Sequence, residues 1–210
     1  RFGLKANAPT LLLQIAMAYQ QDMGVTCYPA PQESSMGQEQ YHQVIDNASS
    51  ELADTTLNYV TFYVKTLAVP ARRNVTDPDV KAGSVLFNQV NCSACHRPTM
   101  MSGSEPNVPQ LSGQRIHPYT DLLLHDLGEG LADNRPDFLA SGREWRTQPL
   151  WGIGLLQKTT GTAYYLHDGR ARSIEEAILW HGGEAQKSRD AFAQLTQQQR
   201  TQLMKFLNSL

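Results

Sequence analysis

The chain has 210 residues, with 18 Lys and Arg against 20 Asp and Glu, so its formal net charge is −2. So small a charge, without a run of basic residues, argues against nucleic-acid binding. The longest apolar stretch near the start, residues 11–18, is far shorter than the roughly 20 residues that cross a bilayer, so we expect no membrane span. Residues 1–4 do not read as a signal peptide, and we expect a processed or truncated chain, or a cytosolic protein.

Apolar residues at helical spacing predict two helices in the first third of the chain. The first covers residues 10–21, and Gly24 is its expected stop. The second covers residues 51–67, with Ser50 as its cap and Pro70 beyond its end. Its predicted inward face consists of Leu52, Thr56, Tyr59, Val60, Tyr63 and Leu67.

Capping residues predict the later helices. Asp77 followed by Pro78 is a typical start, and the helix that follows carries Val80, Leu86, Phe87 and Val90. Short helices are expected at 119–127 and 135–139. Capping boxes then predict a helix from Ser173 to Trp180 and a last helix that begins after Thr196. The chain is therefore predicted to be mostly α, with long loops between its later helices.

Cysteine spacing carries the chemical signal. Two of the three cysteines lie in Cys92-Ser93-Ala94-Cys95-His96, the C-x-x-C-H pattern of covalent haem attachment. Two thiols three positions apart on a helical turn point at one edge of a flat macrocycle, and the next histidine can reach the iron. The long loop over residues 97–112 is what wrapping a haem would require.

Three other readings of the motif stay open. A chance occurrence would also have to explain the helix that leads into the motif. A zinc site would need two further ligands, and the sequence has no second cysteine pair. A thioredoxin-like dithiol would need a βαβ surround, whereas the flanks of this motif read as helices.

The second axial ligand decides what a haem protein can do, because a strong ligand there leaves only electron transfer. His181 is placed best, since it ends the helix from Ser173 and precedes two glycines, although a histidine at a helix end is also favoured by the helix dipole. The other candidates are His117, His125, His167, Met100, Met101 and Met204.

Several runs resemble one family of bacterial haem proteins. The run LHDGRARSIEEAI at residues 166–178 is similar to a segment of the di-haem cytochrome c peroxidases, and RTQPLW at 146–151 is similar to another. The stronger resemblance is to the di-haem oxidoreductase branch, described loosely as thiol oxidoreductase. It rests on runs that span the whole chain: residues 1–7, 117–126, 143–146 and 180–185.

The resemblance implies roles for individual residues. In the peroxidases the distal ligand of the C-terminal haem lies fourteen residues after the histidine of the first run, which is His181 here. The family carries two haems, but this chain has one C-x-x-C-H motif, so we expect it to be the C-terminal part of such a protein. The second, peroxide-cleaving haem would then belong to a missing N-terminal domain.

Further side chains have candidate roles beside the haem. Arg146 is the first choice among the arginines that could pair with haem propionates, and surface ion pairing is its alternative. Trp151 is expected to pack in the haem pocket. The family peroxidases bind calcium, and the acidic stretch around Asp126, Glu129 and Asp133 could do so, although a solvated turn is the simpler reading.

These inferences combine into an expected architecture and function. We expect a helical extension over residues 1–70 and a cytochrome c-like domain over 71–210. Its haem c would be ligated by His96 and His181, accept electrons from a small donor protein and pass them to the second haem. Attachment after export implies a periplasmic protein. The alternative is a self-sufficient mono-haem enzyme with an open sixth site and His125 or His117 as acid/base.

Overall fold

A computed structural model describes residues 1–34, 38–39 and 50–210. The chain divides into two compact units, one formed by residues 1–3 and 7–68 and the other by residues 4–6 and 69–210. Both units are rich in helices and contain few strands among the described residues, in line with the helical part of the fold prediction. Within the described ranges, no helix combines the length and apolar character that crossing a membrane requires. The assignment of residues 1–70 as an extension and 71–210 as a cytochrome domain stays a prediction.

The first unit contains helices α1 (Leu11–Met23) and α2 (Asp54–Thr66). Thr10 caps α1 by accepting a hydrogen bond from the Leu13 amide, and Gly24 ends it with a left-handed φ of 70°. The expected cap at Ser50 is wrong, because α2 begins after Ala53, which makes no side-chain cap.

The predicted inward face of α2 is also wrong. Tyr59 and Tyr63 are 73% and 65% exposed, whereas Leu57 and Thr61 are buried. Apolar residues occur around most of this helix, so their spacing did not select one face. Leu57 instead joins a small core that also contains Ala16, Cys27 and Ala30.

Five helices form the frame of the second unit. They are α3 (Pro78–Gln89), α4 (Leu156–Thr160), α5 (Ile174–Trp180), α6 (Gln186–Ala193) and α7 (Gln197–Ser209). The predicted caps Asp77, Ser173 and Thr196 all accept a backbone hydrogen bond, and Thr196 forms the full capping box with Gln199. The sequence did not predict α4 and α6.

Helices α3 and α7 cross in close contact and form the main core. Gly83 makes the crossing possible, since a Cβ there would lie 2.1 Å from the carbonyl oxygen of Gln202. Phe87, Tyr119 and Phe206 form a cluster of aromatic rings beside it, with centroids 5.3–5.9 Å apart.

Two short antiparallel pairs complete the second unit. Strand β1 (Met100–Met101) pairs with β2 (Arg115–Ile116), and β3 (Leu124–Asp126) pairs with β4 (Glu144–Arg146). The helix predicted at 119–127 is wrong, because β3 lies in this stretch. The helix predicted at 135–139 is also wrong, because Asp137 and Ala140 form an isolated β-bridge there.

Local side-chain hydrogen bonds explain the first of these errors. The Thr120 hydroxyl accepts from the Leu122 amide at 2.9 Å, and Asp121 accepts from the Leu123 amide at 3.0 Å. Such bonds offer the backbone an alternative to a helical turn. Tyr119 and Leu122 also have positive φ angles, of 54° and 61°.

Candidate haem-binding site

The C-x-x-C-H motif lies directly after α3. Asn91, in a left-handed conformation with φ 63°, ends the helix, and a 3₁₀ turn follows over Cys92–Ala94. The His96 amide donates to the Cys92 carbonyl at 3.0 Å, so the motif closes one compact turn. This turn brings the two cysteines and the histidine to one place after α3.

Neither cysteine of the motif forms a disulfide within the described residues. Burial raises the pKa of Cys92 to about 11. The pKa of Cys95 is raised as well, by burial and by the nearby carboxylates of Asp121 and Glu184. Both side chains are therefore protonated at neutral pH. The third cysteine, Cys27, likewise has no disulfide partner in the described ranges and is buried in the first unit.

His96 is oriented by a backbone carbonyl. Its Nδ1 donates to the carbonyl oxygen of Tyr119 at 3.0 Å. Burial lowers its pKa to about 4, so the imidazole is neutral at physiological pH. With the proton on Nδ1, the lone pair of Nε2 is available to a metal.

His181 repeats this arrangement at the end of α5. Its Nδ1 donates to the Ala177 carbonyl at 2.7 Å, and burial lowers its pKa. A positive charge on His181 would lower the pKa of His96, so the two imidazoles lie within electrostatic range of each other. The assignment of His96 and His181 as the two axial ligands stays a prediction.

The loop that follows His181 packs backbone against backbone. A Cβ at Gly182 would lie 2.9 Å from the Leu127 carbonyl oxygen, and a Cβ at Gly183 would lie 2.2 Å from that of Asp126. Gly183 also has a φ of 52°. The pair of glycines therefore allows this loop to lie directly on the chain at the end of β3.

His125, a candidate acid/base, is engaged at both ring nitrogens. Nε2 lies 2.9 Å from Asp121 Oδ2, and Nδ1 lies 2.8 Å from Glu184 Oε2. Burial alone would lower the pKa of His125, but the two hydrogen bonds and the charges of the two carboxylates together outweigh it and raise the pKa. Cys95 Sγ lies 3.8 Å from Nδ1. The other candidate, His117, is exposed and lies 3.0 Å from the Thr99 hydroxyl.

Other sixth-ligand candidates have different surroundings. His167 stacks on Trp145, with ring centroids 3.6 Å apart. Met101 is 61% exposed in β1, and Met204 packs against the main core.

Arg146 and Trp151 are both half-buried. The Arg146 guanidinium donates to Gln148 Oε1 at 2.9 Å, and burial lowers its pKa. A propionate role for Arg146 and a pocket role for Trp151 stay predictions.

The metal alternatives find limited support. In the part of the chain that the structure describes, one group of potential ligands converges within 4.8 Å, namely Cys95, Asp121 and His125. Cys92 is outside this group, so the cysteine pair does not converge on a zinc site. Calcium is not supported either, because Asp133 pairs with Lys5 and Glu129 lies near Arg143.

Two residues that contact the site were not selected from the sequence. Asp121 and Glu184 contact the two ring nitrogens of His125. In the sequence, Asp121 falls within a predicted helix and Glu184 lies three residues after His181, so neither was selected as a site residue. Two signals in the sequence pointed to them: both residues lie in runs that carry the family resemblance, and the pair of glycines before Glu184 indicates a close backbone approach.

Comparisons with known proteins identify a family for the chain. The model of the family described as "Di-haem oxidoreductase, putative peroxidase" matches residues 1–210. Among curated proteins, no sequence matches. A solved structure of hydrazine synthase from Kuenenia stuttgartiensis is similar, with a TM-score of 0.49 and 21% identity. The match covers 77% of this chain and spans 57% of that chain. On the match to the family model, the chain belongs to the di-haem oxidoreductase family.

Proposed function

We propose that residues 69–210 hold one covalently attached haem c between His96 and His181, and that this haem relays electrons to a second haem. One observation carries the proposal. Two half-buried, neutral imidazoles each donate Nδ1–H to a backbone carbonyl and keep the Nε2 lone pair for a metal. The haem-based redox chemistry of the family supports the same assignment.

The residues present fit such a group. The thiols of Cys92 and Cys95 would form the two thioethers, and the compact turn places His96 next to them. Carbonyl acceptors at Nδ1 are the usual outer partners of metal-binding histidines, since they fix the tautomer and the ring orientation.

Two imidazole ligands would restrict the chemistry to electron transfer. When bound, haem supplies reversible one-electron exchange at its iron. His96 and His181 would occupy both axial positions, so neither face would be open to peroxide. A second histidine, in place of a methionine, would keep the reduction potential low.

The remaining parts of the proposal concern the surroundings of the haem. Arg146 would face a propionate and Trp151 would pack in the pocket. Because the family is di-haem and the chain has one C-x-x-C-H motif, the second haem would lie in another domain. A small donor protein would supply electrons, and covalent attachment after export would place the protein in the periplasm.

The mono-haem alternative would require a free acid/base near an open iron. His125 donates to two carboxylates, so its protons are already engaged, and this arrangement supports the relay over the alternative.

The test is covalent haem content. The wild-type protein, expressed with the haem-attachment machinery, is expected to retain one haem per chain after acid–acetone extraction, measured as the pyridine haemochrome. The double variant Cys92→Ala, Cys95→Ala should lose it, whereas Cys27→Ala, a matched control in the first unit, should keep it. Extraction of all haem from the wild-type protein, or stoichiometric zinc in its place, would contradict the proposal.

A further inference from the structure

A chain of contacts connects the supports of the two histidines. Asp121 lies two residues after Tyr119, whose carbonyl oxygen orients His96. Glu184 lies three residues after His181. His125 bridges the two carboxylates, with distances of 2.9 Å to Asp121 and 2.8 Å to Glu184. We name Asp121, His125 and Glu184 the carboxylate clamp.

Both carboxylates are held by backbone amides as well. Asp121 Oδ1 accepts from the Leu123 amide at 3.0 Å, and Glu184 Oε1 accepts from the Asp126 amide at 2.9 Å. Glu184 thus uses one oxygen for β3 and the other for His125. These bonds hold the two carboxylates in position independently of their contacts with the imidazole.

The geometry favours a doubly protonated imidazole between two carboxylates. A neutral histidine has one N–H, so one of the carboxylates would face a bare lone pair at less than 3 Å. The hydrogen bonds to Glu184 and Asp121 raise the pKa of His125 in the same sense. The side chain of Asp121 is only 6% exposed, so the solvent does not screen its contact with His125 fully.

The loop after His181 is held by the clamp and by the glycine contacts. Its Gly182 and Gly183 carry no side chains, and their backbone lies on that of residues 126–128. Glu184 is the first residue after His181 whose side chain bonds to another element. Loss of this anchor would loosen the segment directly after His181, whose ring would then be held by its hydrogen bond to the Ala177 carbonyl.

From these contacts we propose that Asp121, His125 and Glu184 are positioning residues, which act through the loop after His181 to keep that imidazole on the iron opposite His96. The inference rests on the proposed function, because it assigns a role relative to the axial ligand. It gives His125 a structural task in place of the acid/base role.

Variants of the clamp have matched controls within the chain. Glu184→Ala and His125→Gln each remove the bridge. Glu184→Gln keeps it, because the amide can donate to Nδ1 of a neutral His125 and still accept from the Asp126 amide. Glu129→Ala removes a nearby carboxylate that is 80% exposed and 3.9 Å from Arg143, and His117→Gln changes an exposed histidine outside the clamp.

The first readout is carbon monoxide binding to the reduced, haem-loaded protein, which requires His181 to leave the iron. Removal of outer partners typically weakens metal–ligand bonding about 10–100-fold. Since Glu184 is 56% exposed, we expect the lower end, about 10-fold faster binding for Glu184→Ala and His125→Gln. Glu184→Gln and both controls should stay within about twofold of the wild type.

The second readout is hydrogen–deuterium exchange of the amides at residues 182–185 of the haem-loaded protein. Faster exchange in Glu184→Ala and His125→Gln, but not in the controls, is expected. The clamp is refuted if these two variants match the controls in both readouts. If the wild-type iron proves five-coordinate, the proposed function fails, and the exchange data alone then decide whether the clamp holds this loop.

Discussion

Trp145 lies between two side chains from distant parts of the sequence. Its ring stacks on His167 with centroids 3.6 Å apart and an interplanar angle of 11°. Lys5 Nζ lies 4.1 Å from the ring centroid, and the indole N–H donates to the Leu131 carbonyl at 2.9 Å. Trp145 is thereby fixed by packing, a cation–π contact and a hydrogen bond, which accords with a structural role.

The residues after His167 support the end of α5. Asp168 pairs with Arg170, whose guanidinium lies 4.9 Å from the ring centroid of Trp180, the residue before His181. Arg170 also donates to the Gly130 carbonyl. The His-Asp-Gly-Arg run, which is part of the family resemblance, therefore contacts the chain next to His181, the predicted distal ligand.

Lys5→Met tests the contribution of the buried cation. The Lys5 side chain is 6% exposed and bonds to Asp133 Oδ1 at 3.0 Å and the Ser141 carbonyl at 2.8 Å. Because the Asp133 side chain is 31% exposed, the solvent screens the unpaired carboxylate that the substitution leaves. We therefore expect the free energy of unfolding to fall by about 1–2 kcal/mol. Chemical denaturation measures this, with the exposed Lys187→Met as a control. Equal midpoints for the two variants would contradict this account.

Individual residue roles were predictable to different degrees. Cys92, Cys95 and His96 are adjacent in sequence, so their spacing alone indicates the chemistry. Lys5 and Asp133 are 128 residues apart, and nothing local marks them as partners. Carboxylates such as Glu184 are common on surfaces, so only the folded chain reveals that this one reaches His125.

The crossing of α3 and α7 shows how one residue permits an element contact. Gly83 is buried, and a Cβ at this position would meet the Gln202 carbonyl oxygen at 2.1 Å and Phe206 Cβ at 2.7 Å. Backbone atoms cannot move aside as a flexible side chain can, so the helices would have to separate.

Gly83→Ala should therefore destabilise the second unit. We expect the free energy of unfolding to fall by about 2 kcal/mol, since overpacking exceeds the gain of about 1 kcal/mol in helix propensity. Gly103→Ala is the matched control, because no atom lies within 4 Å of a Cβ built there. Chemical denaturation followed by circular dichroism compares the two. The close crossing would be disproved by a Gly83→Ala variant as stable as the control.

Elements with strong caps were the most predictable. Asp77, Ser173 and Thr196 marked the starts of α3, α5 and α7 because their side chains satisfy amides at the first turn. The segment around Tyr119 was not predictable in this way. Its positive φ angles and side-chain bonds serve the contact with His96, and they override the local helical pattern.

At the scale of the whole molecule, long-range contacts decide the organisation. Residues 4–6 belong to the second unit, where the Leu4 carbonyl accepts from the Arg146 amide at 2.9 Å. No linker signal in the sequence separates these three residues from their neighbours, so this pairing could not be predicted. Family membership could be predicted from the sequence, since the runs that resemble the family extend over the whole chain.

The axial ligands of the iron are the central claim, and the electron paramagnetic resonance spectrum of the oxidised protein tests them most directly. The account predicts a low-spin ferric signal typical of two imidazole ligands in the wild type, and a high-spin signal that becomes sensitive to cyanide in His181→Ala. The matched variant His117→Ala should keep the low-spin signal. A high-spin wild-type spectrum, or one unchanged by His181→Ala, would contradict the account.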